Sequence, residues 1–313
     1  MFFTWHPRLG THIIKQYFNS WLCVLAGMSL VYIFPFALQF IVHPYPLPDW
    51  WFGFHNFFIL FALFITWMGV EFSRIIKTDK LAILVPNHIK SMVAELAYRA
   101  SLRSMPRVSI LMTKRWRSNA AVIQRTFSRS EIFLGDNMPE ILNEREMYAV
   151  LAHEISHVKH RDQLLRIFFA ASIFVFWSYI LMSAVITIAA LYVDTPPIRI
   201  GYIASKAVFL SAWWYVLVKL LFLSHSRACE YLTDAALVNV AGWSYRKDFL
   251  SALIKMGKSA RPPFLKIPIF HSKVFEFLST HPLTKNRAKA LGMRIEVLPD
   301  GSENIIDEEK PLA

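Results

Sequence analysis

Four long apolar stretches constrain the fold of this chain more than any other feature of its sequence. They extend over approximately residues 20–42, 51–70, 167–193 and 201–223. Each approaches or exceeds the roughly twenty residues that a helix needs to cross a bilayer. Pro35 interrupts the first stretch, which membrane helices tolerate. The pattern therefore predicts four transmembrane helices, paired as two hairpins.

Composition favours the same class of protein. Hydrophobic residues make up 55% of the 313 positions and charged residues only 18%, which is unusual for a soluble protein. The alternative of four buried helices in a soluble core is disfavoured because the stretches are too long and too free of charge. Only two cysteines are present, Cys23 and Cys229, so a disulfide framework is excluded and both are expected as free thiols.

The distribution of basic residues predicts how the chain is oriented. Most of the 34 Lys and Arg residues lie in segments 71–166 and 224–313, whereas the connections 43–50 and 194–200 carry almost none. The positive-inside rule then places both termini and the long middle segment in the cytoplasm, close to anionic membrane lipids. The first stretch is longer than a signal-peptide core and is expected to stay as an anchor. The net charge of +12 does not form the aromatic-interleaved patch of a nucleic-acid surface, so no nucleic-acid partner is predicted.

A histidine motif lies in the middle segment, where residues 149–161 read A-V-L-A-H-E-I-S-H-V-K-H-R. His153 and His157 are four positions apart, which places both imidazoles on one face of a helix. Glu154 lies beside them with a carboxylate suited to general-base catalysis. His-Glu-x-x-His on a helix is the pattern of zinc proteases.

The residues around this motif predict where its helix begins and which face is apolar. Asn143 and Glu146 have the spacing of a capping box, so the helix is expected to begin near Glu144. One side of the helix is apolar, with Met147, Val150, Leu151, Ile155 and Val158 at helical spacing. The two histidines lie on a different face of this helix, so we expect them to face something other than the core. The neighbouring His160 and the later His225 are interpreted as surface histidines of helices.

A catalytic zinc site needs a third protein ligand and one open position. The predicted layout brings a helix over residues 226–241 alongside the histidine helix, antiparallel to it. Glu230 then lies at about the height of His157. Asp234 follows one turn later, where it could bond to a ligand imidazole. From the residues alone, this pair could equally belong to a solvated helix face.

The remaining cytoplasmic segments contain short elements. We predict a helix over residues 90–103, a strand over 107–112 and a hairpin of strands 120–126 and 131–134. Further helices are expected over residues 245–258, 274–278 and 283–291, with Gly242 ending the helix before them and a proline-rich loop at 260–270. The acidic residues 300–309 predict a mobile tail. A strand exposed beside the histidine helix could pair with an extended peptide.

Several motifs resemble one protein family. Residues 226–231, S-R-A-C-E-Y, together with Asp234 resemble the Ser-Arg-x-x-Glu-Tyr/Phe-x-Ala-Asp motif of the HtpX-type membrane zinc metalloproteases, relatives of the CAAX prenyl proteases. Segments 105–108, 118–120 and 280–282 resemble its other motifs, and the resemblance covers most of the chain. The chain also departs from the pattern. Asn119 lacks the aromatic residue and the Gly that usually follow it, and Thr233 replaces the usual Ala.

The resemblance implies a role for each matching residue. It implies one Zn²⁺ per chain, held by His153, His157 and Glu230. It implies Glu154 as the general base. It places Asn119, His281 and Arg287 near the substrate or its oxyanion, and Asp234 and Arg227 behind the ligands.

The resemblance also implies an architecture and an activity. The expected fold is a mainly α membrane protein, with four transmembrane helices and a cytoplasmic α+β zinc metalloprotease domain. That domain has two halves, residues 71–166 and 224–300, and a small β-sheet beside the histidine helix. The expected activity is endoproteolysis of damaged or misassembled membrane proteins, in a bacterial inner membrane or, alternatively, an organelle membrane. A processing protease for a specific lipidated substrate and a non-catalytic zinc-binding membrane scaffold are the alternatives. The oligomeric state is not predicted.

Overall fold

The computed structural model describes seven segments of the chain and a few isolated N-terminal positions. The segments are residues 82–83, 85–112, 117–124, 130–160, 197–260, 281–298 and 302–308, and the isolated positions are 16, 18, 19, 22 and 26. The described residues fall into two compact units. One unit contains the described residues between 82 and 160 and those from Ser226 onward, together with positions 16, 18 and 19. The other unit contains residues 197–225 and positions 22 and 26.

Three of the four predicted spans cannot be compared with the structure. The spans at about 20–42, 51–70 and 167–193 lie outside the described residues, apart from two isolated positions, as do the expected loop at 261–270 and the helix at 274–278. The fourth falls within a helix over Pro197–Ala241. Among the described residues, no helix combines the length and the apolar character that crossing a membrane requires. The four spans therefore stay a prediction.

A four-stranded sheet forms one layer of the first unit. Its strands are β1 (Ala82–Ile83), β2 (Arg107–Leu111), β3 (Ala120–Gln124) and β4 (Ser130–Gly135). Their order is β1-β2-β4-β3; β2 runs parallel to β4, and the other two pairs are antiparallel. All six residues of β4 are buried, as expected of an inner strand. The predicted hairpin is confirmed as β3 and β4, and β3 forms the edge of the sheet.

Helix α1 (Asn87–Arg99) packs one apolar face into the core. Ile89, Val93 and Leu96 recur at helical spacing and are almost fully buried. The helix ends four residues before the predicted position. The reason is a Schellman motif, in which Ser101 has a φ of 54° and the Leu102 N–H donates to the Ala97 carbonyl at 3.0 Å.

The histidine helix begins at the predicted residue. A short helix α2 (Met138–Ile141) precedes it, and α3 extends over Glu144–His160. The Asn143 N–H donates to the Glu146 carboxylate, and the Glu146 N–H donates to Oδ1 of Asn143, each at 2.9 Å. This reciprocal pair is the predicted capping box.

Helix α3 is more deeply buried than its sequence pattern indicates. Every residue from Glu146 to Ser156 is buried, including the small residues beside the histidines. The rest of α3 packs against α1, β3 and a further helix, α5 (Tyr245–Ala260). His153 and His157 lie outside the hydrophobic cluster, as expected, and group with Glu230 instead. Phe249 of α5 stacks on His153 with the ring centroids 5.0 Å apart.

Helix α4 extends over Pro197–Ala241 and supplies the third predicted ligand. It ends where expected: Gly242 has a φ of 113°, a conformation open to glycine, and its N–H donates to the Val238 carbonyl at 3.0 Å. His225 is fully buried, so the interpretation of a surface histidine is wrong. Cys229 is a buried thiol of this helix, as predicted.

Part of the acidic C-terminal segment forms a strand, contrary to the predicted mobile tail. After helix α6 (Thr284–Ala290), strands β5 (Met293–Val297) and β6 (Glu303–Asp307) form an antiparallel pair. Ile305 is buried, whereas Glu303, Asn304 and Asp307 of the same strand are exposed. Charge content predicted a tail, but this single inward apolar position joins the segment to the core.

Candidate active site

Three side chains from two helices converge in the first unit. His153 and His157 come from α3, and Glu230 comes from α4. The two Nε2 atoms are 3.1 Å apart. The Glu230 oxygens lie 3.5 Å from Nε2 of His153 and 3.7 Å from Nε2 of His157. Potential ligand atoms of all three residues therefore lie within 4.8 Å of one another.

These distances fit a zinc ion. Tetrahedral ligands about 2.0 to 2.1 Å from zinc are separated from each other by about 3.3 Å. The separation of 3.1 Å between the two imidazoles and those of 3.5 and 3.7 Å from them to Oε2 and Oε1 of Glu230, respectively, lie close to that value. Two imidazoles and one carboxylate are also a donor set of catalytic zinc sites, which leave a fourth position for water or substrate. The residues present can therefore hold the metal that the sequence pattern implies.

Each imidazole contacts a further residue through its other nitrogen. Nδ1 of His153 lies 3.0 Å from Oδ1 of Asp234, and Nδ1 of His157 lies 3.1 Å from Oγ1 of Thr233. Partners of this kind set the orientation of ligand imidazoles and the nitrogen that carries the proton. In both residues this leaves Nε2 directed at Glu230.

Arg287 of α6 completes a buried charge network behind the ligands. Its guanidinium donates to Asp234 from Nε at 2.8 Å and from Nη2 at 2.5 Å, and its Nη1 lies 3.5 Å from Glu230. The side chain is only 7% exposed. The resemblance placed Arg287 near the substrate, whereas the structure places its guanidinium against the carboxylates of Asp234 and Glu230.

The buried charges shift the pKa values of His153, Glu230 and Asp234. Burial alone would lower the pKa of His153, but hydrogen bonds with Asp234 and Glu230 outweigh it and raise the pKa to about 9. Burial would raise the pKa of Glu230 and of Asp234, yet neighbouring positive charges hold both below their usual values. Both carboxylates therefore stay ionised in a buried place, which favours a bound cation.

The remaining predicted site residues are placed differently from one another. Glu154 is buried on α3 beside the ligands, at 7% exposure. His281 is 61% exposed, and its Nδ1 lies 3.0 Å from Glu230. Asn119 is exposed at the start of β3, and its Oδ1 accepts a bond from the Ala120 N–H at 3.0 Å. Arg227 is half-buried on α4, and its role stays a prediction.

Two contacts of the site were absent from the sequence analysis. Phe249 had no motif to mark it, because its stacking on His153 depends on how α5 packs against α3. Thr233 did carry a signal, since it departs from the resembled pattern and lies next to Asp234. In the structure its hydroxyl group contacts His157.

Comparisons with known proteins agree with this geometry. The sequence profile of peptidase family M48 matches residues 85–295. A protease HtpX homolog of Pelotomaculum thermopropionicum is 27% identical over 253 residues, covering 73% of this chain and 86% of the relative. A protease HtpX homolog of Methanothermobacter thermautotrophicus is 27% identical over 202 residues, covering 60% of this chain and 70% of the relative.

A solved structure is also similar. The crystal structure of S. mikatae Ste24p aligns with a TM-score of 0.48 and 18% identity, covering 90% of this chain. The alignment spans 66% of that longer chain, just under two thirds. The family match extends over more than half of the present sequence and includes the candidate ligands His153, His157 and Glu230. The chain therefore belongs to peptidase family M48 and is a metalloendopeptidase of the HtpX type.

Proposed function

We propose that this chain is a zinc-dependent endopeptidase of a membrane, which hydrolyses peptide bonds of misfolded or membrane proteins on the cytoplasmic side. The observation that carries the proposal is the convergence of two imidazole Nε2 atoms and the Glu230 carboxylate. Glu154 lies on the same helix, next in sequence to His153, where a general base is required.

The chemistry divides between the metal and the chain. A zinc ion held by His153, His157 and Glu230 would lower the pKa of water and would polarise the scissile carbonyl. The Glu154 carboxylate takes a proton from the attacking water and delivers it to the nitrogen of the leaving amine. Because Glu154 is buried, its carboxylate is shielded from bulk water while it holds that proton.

The edge strand offers a place for the substrate backbone. β3 is one of the two edge strands of the four-stranded sheet among the described residues, and it packs beside α3. An extended peptide can add to such an edge by main-chain hydrogen bonds. Asn119 lies exposed at the start of this strand, close to where a peptide would enter. The sheet would then align an unfolded segment rather than a folded domain, because only an extended backbone can pair with it.

His281 is the proposed donor to the oxyanion. It is exposed, and it reaches Glu230 with Nδ1 at 3.0 Å. An imidazole in this position can donate a hydrogen bond to the carbonyl oxygen as negative charge develops there. Arg287 is assigned instead to the support of Asp234, since its guanidinium is committed to that carboxylate.

The membrane location rests on the sequence. The four apolar stretches and the basic segments between them favour a multi-pass protein with both termini in the cytoplasm. Helix α4 contains the fourth stretch and then Glu230, so the metal is expected just above the cytoplasmic face of the bilayer. We infer a bacterial inner membrane, with its lipids as partners.

The test is an assay of the full-length protein purified in detergent, with an unstructured protein such as casein as substrate. Cleavage is expected, with loss on chelation and recovery on addition of Zn²⁺. Glu154→Gln is expected to bind zinc and to fold, but not to cleave. Glu144→Gln, an exposed position at the start of the same helix, is the matched control. Full activity of Glu154→Gln would overturn the assignment.

A second substrate decides between general and specific proteolysis. Cleavage of the unstructured protein is expected at a rate at least comparable to that of a prenylated peptide. Cleavage of the prenylated peptide alone would replace the quality-control proposal with the processing alternative, while the metalloprotease chemistry would stand.

A further inference from the structure

We propose that Thr233 is a positioning residue that sets the tautomer and the orientation of His157 as a metal ligand. The inference rests on the proposed zinc site and deepens it. It concerns a contact that the departure from the resembled sequence pattern creates, since an alanine at position 233 has no hydroxyl group.

The hydroxyl proton of Thr233 is committed to the backbone. Oγ1 lies 2.6 Å from the carbonyl oxygen of Cys229, one turn earlier on α4. A carbonyl oxygen can only accept, so the hydroxyl must donate there. A threonine in a helix commonly bonds in this way to the carbonyl four residues before it, and the branched side chain then has a restricted χ1.

The second contact of the same hydroxyl must therefore run in the opposite direction. Oγ1 lies 3.1 Å from Nδ1 of His157, and the hydroxyl has no further proton to give. Nδ1 must be the donor, so the neutral imidazole carries its proton on Nδ1. This leaves Nε2 with a free lone pair, which is the form that binds a metal.

Because both side chains are buried, the hydrogen bond between Thr233 and His157 strongly favours one tautomer of the imidazole. Thr233 has no exposed surface, and His157 is only 11% exposed at its side chain. A buried donor without its partner costs about 1–3 kcal/mol, because solvent cannot replace the lost bond. The opposite tautomer would direct a lone pair at the lone pairs of Oγ1 and lose that bond. The site thus favours one tautomer before any metal arrives.

The two histidine ligands are held by different partners. His153 faces the charged carboxylate of Asp234, whereas His157 faces a neutral hydroxyl. Removing the Thr233 hydroxyl changes no charge in the site. Its loss should therefore affect the orientation and the tautomer of one imidazole without altering the Asp234 network.

The experiment compares Thr233→Val, Thr233→Ser and Thr233→Ala with the parent protein in detergent. Valine keeps the shape and removes the hydroxyl, serine keeps the hydroxyl, and alanine removes the whole branched group. Nitrogen NMR of ¹⁵N-histidine-labelled, metal-free protein reports the tautomer at mildly alkaline pH, with His157→Gln to assign the signals. Zinc affinity is measured in parallel by competition with a chromophoric chelator.

We expect His157 to show a single tautomer with the proton on Nδ1 in the parent and in Thr233→Ser. In Thr233→Val and Thr233→Ala we expect a mixture of tautomers and zinc affinity lowered about 10-fold or more. Parent-like tautomer and affinity in both variants would overturn the inference. If valine prevents folding, the smaller alanine carries the test.

These readouts are independent of peptide hydrolysis. A parent protein that binds zinc and shows the Nδ1 tautomer but cleaves nothing would overturn the proposed function and leave the role of Thr233 intact. Conversely, active Thr233→Val with parent-like zinc affinity and tautomer would overturn the role of Thr233 alone.

Discussion

The guanidinium of Arg287 makes two hydrogen bonds to Asp234, from Nε to Oδ2 at 2.8 Å and from Nη2 to Oδ1 at 2.5 Å. Asp234 in turn lies 3.0 Å from Nδ1 of His153. The orientation of a predicted ligand on α3 therefore depends on an arginine of α6, through a carboxylate of α4. Paired buried charges of this kind are costly to separate, because the remaining charge is left without a partner.

Asp234→Asn is expected to weaken zinc binding by about 10- to 100-fold, the usual effect of removing a partner of a ligand histidine. The amide keeps the shape but loses the charge that orients His153 and balances Arg287. Zinc affinity is measured by chelator competition. Asp248→Asn is the control, since that carboxylate pairs with the exposed Arg145. Unchanged affinity in Asp234→Asn would exclude this role.

His281→Ala is expected to lower the rate of hydrolysis about 10²- to 10³-fold, the typical effect of removing one oxyanion donor. One zinc per chain should remain, because the three proposed ligands are untouched. The measurement is kcat on an unstructured substrate together with the metal content. His88→Ala, at an exposed position of α1, is the control. A loss of zinc that parallels the loss of activity would instead assign His281 to metal binding.

Glu146→Gln is expected to lower the free energy of unfolding by about 1–3 kcal/mol at neutral pH. The carboxylate accepts bonds from Ser251 at 2.6 Å and Lys255 at 2.8 Å, besides the capping bond from the Asn143 N–H. It therefore joins the start of α3 to α5. Denaturant unfolding in detergent measures the change.

The pH dependence of this effect has a definite sign. Burial alone would raise the pKa of Glu146, but its bonds with Lys255, Ser251 and Asn143 hold the pKa below 4.5. The stabilisation is thus fully present above the pKa of the unfolded chain and is lost as the pH falls through the lowered folded value. The difference between parent and Glu146→Gln should shrink in acid. A difference that grows in acid would contradict this assignment, and the exposed Glu140→Gln is the control.

Arg246→Ala is expected to cost about 2–4 kcal/mol of stability and to release the C-terminal strand pair first. Its buried guanidinium donates to the Leu291 carbonyl at 2.5 Å and to Asp307 at 2.9 Å, and stacks on Trp243 at 3.5 Å. Hydrogen exchange should accelerate in β6 before it does in α3. Arg294→Ala, which removes an exposed pair with Glu296, should change stability little. Equal exchange rates in β6 of parent and Arg246→Ala would contradict this role.

Features governed by near neighbours in the chain could be predicted from the sequence. The start of α3 follows from the Asn143 and Glu146 capping pair, and its two histidines follow from the four-residue spacing. The hairpin of β3 and β4 and the end of α4 at Gly242 also depend on local pattern. The prediction of a mobile acidic tail was wrong because it rested on charge content alone. Packing of the buried Ile305 places part of that segment in strand β6.

The chemistry of this protein can be predicted from its residue pattern: a His-Glu-x-x-His helix, a Glu-x-x-x-Asp helix and apolar stretches that favour a membrane. Hydrogen bonds within four residues and helical periodicity are properties of the local chain, so they can be inferred before folding. Three contacts become visible only in the folded protein: Arg287 bonds to Asp234, Thr233 contacts His157 and Phe249 stacks on His153. Those contacts join residues far apart in the chain, and their geometry depends on how whole helices pack.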